Sequence, residues 1–443
     1  MIRRLVALGV LCLAPSGCER QPAGKSPFEG SGASELRGVL AVGHLSSELR
    51  EMDEIPELLR EAIPEGVEAT FVWLDAKAYG GALALLFQGR DPELSLRSLL
   101  QSGVLAGTDR PDAYRLQLED PLLDGFSDLL RGGRPLGGLA GSRAPQGSVL
   151  QRHDRGDRLV LVPTVDLREW MFDLADVVEQ QPVPGLAVAL DGRSLARLIR
   201  EEIQPRFQLL FGLTGAASRR TDRARALEGG GFLLALALEA STQLEGAVFE
   251  LRDPDAYRFE SRFTARADTP LHRLFGSFDS LQLPPEPELT QEGVYLALAL
   301  RPESFGQALG LLAEPLLDDR SLEFVEQAEA LLEFIRTRFG GLALFSAGSG
   351  EASQAAGLAL SLQPGTRRED LDSLLAWFDG WEPFEDSWRL EQGWLRLGDP
   401  RLVPLDRGGD SDLVGRFWGR SDGTWPGTFG GELRRFERGL WLK

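Results

Sequence analysis

Across 443 residues there is no asparagine, and there are only three lysines, three histidines and two cysteines. His44, His153 and His272 stand far apart without an H-E-x-x-H pattern, and two cysteines cannot supply a four-thiolate cluster, so no metal site is supported. Neither G-x-S-x-G nor a Walker A sequence occurs, which removes the usual signposts of a serine hydrolase and of a P-loop enzyme. Lys plus Arg (48) falls short of Asp plus Glu (67), and a net charge of −19 argues against nucleic acid, whose phosphates need a basic face. With asparagine missing, glycine is the main residue for left-handed turns, so part of the count of 51 glycines is turn chemistry rather than phosphate cradling. No apolar run reaches the ~18 residues that a membrane-crossing helix needs. What remains, 43% hydrophobic and 26% charged, supports packed domains, about three at ~150 residues each.

Arg3 and Arg4 precede an apolar run from Leu5 to Ala14, then Pro15, Ser16, Gly17 and Cys18. This is the layout of a secretory signal, a segment that is removed rather than folded. Small residues directly before Cys18 make it resemble a bacterial lipoprotein signal, a resemblance confined to these 18 residues. It implies loss of residues 1–17, lipidation of Cys18 and export to a bacterial membrane, with the body facing the periplasm. The family prefers Leu three positions before the cysteine, where this chain has Pro15. Ordinary cleavage near Ala14-Pro15-Ser16 is the alternative and would leave Cys18 as a free thiol. Either way the mature chain keeps one cysteine and forms no intrachain disulfide. Residues 18–36, rich in Gly, Ser, Pro and Ala, read as a flexible tether.

Three later segments share a plan. Each opens with a Gly before an apolar strand, at Gly38, Gly185 and Gly293, and each leads toward a glycine pair 42, 44 or 47 residues on: Gly80-Gly81, Gly229-Gly230-Gly231 and Gly340-Gly341. In the third, Phe305, Leu309, Leu312 and Leu316 keep helical spacing after a capping box at Ser304 and Gln307, and Phe324 to Phe339 forms a second stripe. Thr366 to Glu369 reads as a further capping box. The pentapeptide Pro-Asp-Ala-Tyr-Arg recurs at Pro111 and Pro254, each time running into an alternating strand. The pattern predicts an α+β fold of three related β-α-α-β-β-β-α modules, antiparallel sheets with helices packed on them, ending in a Trp-rich β segment. The boundaries are 37–183 (with a Gly/Pro-rich insertion at Arg131–Gln151 before a strand at Arg158 and a helix from Val165), 184–291, 292–386, and 387–443.

Gly231–Leu238 and Glu292–Leu300 alternate Leu with Ala, so as strands they would be apolar on both faces. Two readings follow: helices cover the Leu side while another layer closes on the Ala side, or Ala235, Ala237, Ala297 and Ala299 form an apolar ligand face with room for an acyl chain. Seven of the nine tryptophans lie in the last 67 residues. They are core packing, or Trp418 and Trp425 form an aromatic surface for sugar or an interface. Ser387 onward predicts a hairpin around Glu391-Gln392-Gly393, with GELRRF and GLWLK as later partners.

His153 sits in Arg-His-Asp-Arg-Gly-Asp, read as a hairpin turn with an incidental RGD triplet. His44 reads as a surface or cap residue and His272 as part of a helix start. Asp406, Asp410 and Asp412 lack the alternate spacing and closing Glu of a calcium loop. The chemistry motifs thus name no catalytic residue, cofactor or metal. The sequence predicts a membrane-anchored, non-enzymatic binding or envelope-assembly lipoprotein, whose partners are the membrane through its lipid and an unidentified envelope protein or lipid. The alternative is a carrier or sensor of an apolar ligand held between sheet and helices. A hydrolase using acids near the Trp cluster is a third reading.

Overall fold

The computed structural model describes residues 39–46, 64–74, 76–81, 83–116, 149–180, 185–203, 232, 234–253, 258–282, 293–317, 325–348, 356–372, 374–375, 388–398, 406–408, 412–421, 427–436 and 438–442. The chain divides into two compact units, mainly Cys18–Ser194 with Val248–Glu260, and Leu195–Ala247 with Ser261–Lys443. Both are α+β, with antiparallel strands and helices laid on them.

The first unit contains β1 (Val39–Leu45), β2 (Val67–Leu74), β3 (Leu83–Gly89), β4 (Leu105–Gly107), β5 (Ala113–Leu116), β6 (Val149–Arg155), β7 (Arg158–Val162) and β8 (Leu186–Asp191). They pair antiparallel in the order β8-β1-β2-β3-β7-β6-β5-β4. Its helices are α1 (Ala76–Tyr79), α2 (Glu93–Gln101) and α3 (Asp166–Gln180). Ala84, Leu85, Leu86 and Phe87 in β3 are all buried, and because successive strand residues face opposite ways, both faces of the sheet are covered. On one face Val42, Val72, Leu86 and Val160 meet Leu167, Met171, Leu174 and Val178 of α3. On the other, Ala69, Phe87 and Leu159 meet Leu96 and Leu99 of α2. α3 forms because Leu167, Met171, Leu174, Ala175 and Val178 make one helical stripe, while Asp166 and Glu169 favour its positive end.

β6 and β7 form the expected hairpin, with Gly156-Asp157 as its turn. Residues 149–151, expected in the insertion loop, are strand; residues 131–148 lie outside the described residues.

Next in sequence come α4 (Gly192–Leu198) with a π-helical turn at Ile199–Ile203, α5 (residues 232 and 234–242), β9 (Leu244–Asp253) and β10 (Arg258–Ala265). α5 overturns the strand expected over Gly231–Leu238. Leu and Ala are strong helix formers, the stretch from Phe232 to Ala240 has no β-branched residue, and Phe232 and Ala235 pack on two helices of the second unit.

The second unit adds α6 (Pro270–Gly276), β11 (Gly293–Ala299), α7 (Pro302–Leu317), α8 (Val325–Thr337), β12 (Phe339–Gly348), β13 (Ala356–Leu362), β14 (Arg389–Glu391), β15 (Trp394–Gly398), β16 (Leu413–Ser421), β17 (Gly427–Phe436) and β18 (Gly439–Leu442). Through Ser261–Thr264 of β10, the antiparallel order is β10-β18-β17-β16-β11-β12-β13-β15-β14. All of the C-terminal strands except the edge strand β14 are therefore interior members of this sheet, since β16 pairs with β11 and β15 with β13. The β14–β15 hairpin turns at Gln392 and Gly393, where φ is 50° and 79°, the left-handed pair of a type I′ turn.

Several expected caps and glycines move. α7 starts at Pro302, so Ser304 lies within its first turn rather than before it. The Arg367 N–H donates to the Asp370 carboxylate at 2.8 Å and a 3-10 turn, Arg368–Leu371, follows, one residue beyond the expected box. Gly340-Gly341 sits inside β12, at an irregularity between Phe339 and Ala343. A Cβ on Gly341, at φ 96°, would meet the Leu300 carbonyl oxygen at 2.4 Å. Phe339 belongs to β12, not to the α8 stripe. Gly229–Gly231, Pro254–Tyr257 and Phe324 lie outside the described residues. No helix among the described residues is long and apolar enough to cross a membrane.

Phe87→Ala should lower the stability of the first unit by about 3–5 kcal/mol in denaturant unfolding. Leu94→Ala, at a side chain 39% exposed, should change it by less than about 1 kcal/mol. Equal losses would contradict the burial of Phe87 beneath α2.

Candidate functional site

One candidate is a polar island in the first unit. His44 on β1 faces Thr70 on β2, and its Nδ1 lies 3.0 Å from the Thr70 hydroxyl. Glu68 is 3.9 Å from His44 Nε2 and accepts a 2.8 Å hydrogen bond from Gln88 on β3. A hydroxyl, an imidazole and a carboxylate thus converge, the residue types of a nucleophilic triad. The geometry denies that chemistry, because His44 is 1% exposed and burial lowers its pKa to about 4. It is neutral near pH 7, enclosed, and too weak a base for general base catalysis. The expectation of a surface or cap histidine is corrected: His44 is a core residue whose buried Nε2 has no hydrogen-bond partner among the described residues.

The residues nominated from sequence do not converge. Ala235 and Ala237 lie on α5, Ala235 buried and Ala237 exposed, so they form no strand face. Ala297 and Ala299 on β11 are 0% exposed, clustered with Leu281, Tyr295, Leu344, Ala359 and Trp418. They are packed core positions rather than an open ligand face, while Leu298 on the opposite side packs in the cluster of α6 and α8. Trp418 is 3% exposed and stacks on Tyr295 with ring centroids 5.9 Å apart, which corrects its assignment to an aromatic surface. Trp425, Cys18 and Asp410 lie outside the described residues.

Other polar residues have structural work. Arg155 of the RGD triplet bonds Glu169 at 2.6 Å and lies over the Phe172 ring. His153 is in β6 beside the turn, its pKa lowered first by burial and then by Arg168. At α6, Thr269 caps the His272 N–H as a helix start requires. Asp412 bonds Arg434 at 2.7 Å. Among the described residues no group of three His, Cys, Asp or Glu could hold a metal.

The geometry instead points to a groove between α7 and α8 that encloses about 790 Å³. Gln307, Gly310, Leu311, Glu314 and Leu317 line it from α7, and Glu329, Leu332, Glu333 and Arg336 from α8. Each set recurs every three or four residues, so each is one helix stripe. Arg336, late in α8, lies over Gly306 and Gly310, early in α7, so the helices run antiparallel; a Cβ at either glycine would collide with Arg336. Leu311 is 39% exposed at the groove while Leu332 is buried in its floor. Glu314, Glu329 and Glu333 have no cationic partner among the described residues. The arrangement offers an apolar floor and an acidic rim, and no nucleophile or acid–base pair. Sequence reading followed the core stripe of α7 and passed over this neighbouring one; the signal it missed was Leu311 and Leu317 interleaved with Glu314, beyond two glycines four residues apart.

His44 makes the first unit sensitive to acid. Its folded pKa, about 4, lies below the ordinary histidine value of 6.5, so as pH falls the unfolded chain takes up the proton first. Its contribution is intact above pH 6.5 and is lost as pH falls toward 4, by about 3 kcal/mol in all. His44→Gln should therefore flatten unfolding stability against pH between 6.5 and 4, and an unchanged slope would contradict the buried neutral imidazole. No protein-family model, curated protein or solved structure matches the chain.

Proposed function

We propose that the chain is an exported, membrane-anchored binding protein, tethered through lipid on Cys18 and acting in the cell envelope by holding a partner rather than by catalysis. The signal-like N-terminus and the tether composition support export and anchoring. The observation that carries the binding reading is the α7–α8 groove, a concavity with an apolar floor and a rim of glutamates that have no cationic partner among the described residues. The buried, weakly basic His44 supports the non-enzymatic reading.

The proposal retains three related modules with adjusted internal bounds. A strand, later two successive strands, then a helix recur as β1, β2, β3 and α2; as β8, β9, β10 and α6; and as β11, β12 and β13 followed by the turn at Arg368–Leu371. In this scheme the repeat builds the two sheets, and the helices between the first and second strands of the third copy are free to carry the site.

Mass spectrometry of the full chain, extracted from its host in neutral detergent, tests both halves. Under denaturing conditions the mass should be that of the chain from Cys18 plus covalent acyl groups. Under native conditions no further small molecule should be held. A chain without acyl mass would overturn the anchor, and a lipid released only on denaturation would replace protein binding with the carrier reading.

A further inference from the structure

We propose that the α7–α8 groove receives a cationic amphipathic helix of a partner protein, a deduction that rests on the binding function proposed above and names the ligand class. The groove stripe on α7 runs from Gln307 to Leu317, ~15 Å at the helical rise, which matches about three turns of a docked helix. Two helices packed side by side present a trough whose third ridge is most simply another helix, with apolar side chains spaced at i, i+3, i+4 and i+7 seated on Leu311, Leu317 and Leu332.

Charge decides the partner's sign. Glu314, Glu329 and Glu333 outnumber Arg336 in the lining and all three are exposed. Glu314 also lies in the last turn of α7, where the helix dipole opposes a carboxylate, so an incoming lysine or arginine would relieve an unfavourable placement. Pro315 adds to this. Lacking an N–H, it leaves the carbonyl of Leu311, a groove residue, without its usual donor four residues on. An anionic lipid or fatty acid would meet repulsion at the same rim. A chain of net charge −19 likewise disfavours a second copy as occupant.

The test uses the full chain in neutral detergent and a fluorescent synthetic 14-residue peptide carrying leucines at i, i+3, i+4 and i+7 between lysines. Two control peptides replace every lysine with glutamate or scramble the order. Anisotropy titrations should show binding of the lysine peptide alone, weakened by added salt. Leu311→Asp, and separately the combined Glu314→Lys, Glu329→Lys, Glu333→Lys variant, should each weaken it by about tenfold or more. These positions are exposed, and unchanged circular dichroism will show that the variants fold. Equal affinity for the glutamate peptide, or affinity unaffected by both variants, would overturn the proposal. So would dimerisation abolished by Leu311→Asp, which assigns the groove to a second copy. Absence of peptide binding beside a ligand-free native mass would overturn the cationic-helix assignment alone; a native mass bearing lipid would remove the binding function beneath it as well.

Discussion

Shielding apolar strands on both faces is the constraint on which the first unit depends. An antiparallel sheet can leave one face wet, and its strands then alternate apolar with polar. β3 does not: Ala84, Leu85, Leu86 and Phe87 are buried in succession, so a helix layer is required on each side. α3 covers one face and α2 the other, and the stripes on those helices are apolar where they meet the sheet. In the second unit β11 is apolar on both sides, but its residues alternate between buried and half-buried. Its alanines lie in a close-packed cluster with Tyr295 and Trp418, and its Leu298 packs toward the helical side.

This constraint separates structure from function within the second unit. Residues buried against the sheet, such as Phe334 of α8 and Leu371, are committed to the core. The other flanks of α7 and α8 are not, and there the side chains depart from what stability alone would select. An exposed Leu311, a carboxylate at the negative end of a helix, and two glycines inside a helix each break a local rule. Such violations collect at functional sites because elsewhere selection for stability removes them. Gly306 and Gly310 have a physical reason, since they let Arg336 lie against α7.

Much of the fold was legible where one residue type settles the local geometry. Gly156 between β6 and β7, and Gln392-Gly393 between β14 and β15, marked hairpins that the backbone forms. The stripes of α7 and α8 were readable from period alone. The failure at residues 232–242 is equally physical. Leu-Ala alternation satisfies a two-residue period, yet every residue in it favours a helix, and only the presence of Val294 and Tyr295 in β11 distinguishes the true strand. His44 was misplaced because a polar residue was read as exposed, although it ends an apolar strand segment, VLAVGHL, with nothing to lead it outward. The groove was not legible as a site, for it arises from two stripes on different helices, and the crossing that joins them is set by packing.

In the proposed function the sheets are closed scaffolding and recognition belongs to the outer flank of α7 and α8. Hydrogen–deuterium exchange of the full chain, followed by mass spectrometry with and without a cationic amphipathic peptide, separates this from an open sheet. Added protection confined to residues 302–317 and 325–337, with β3 and β11 already slow and unchanged, is the predicted result. Rapid exchange in β11, or protection gained at Ala297 and Ala299 rather than along the helices, would show that the sheet is open and that the site lies there instead.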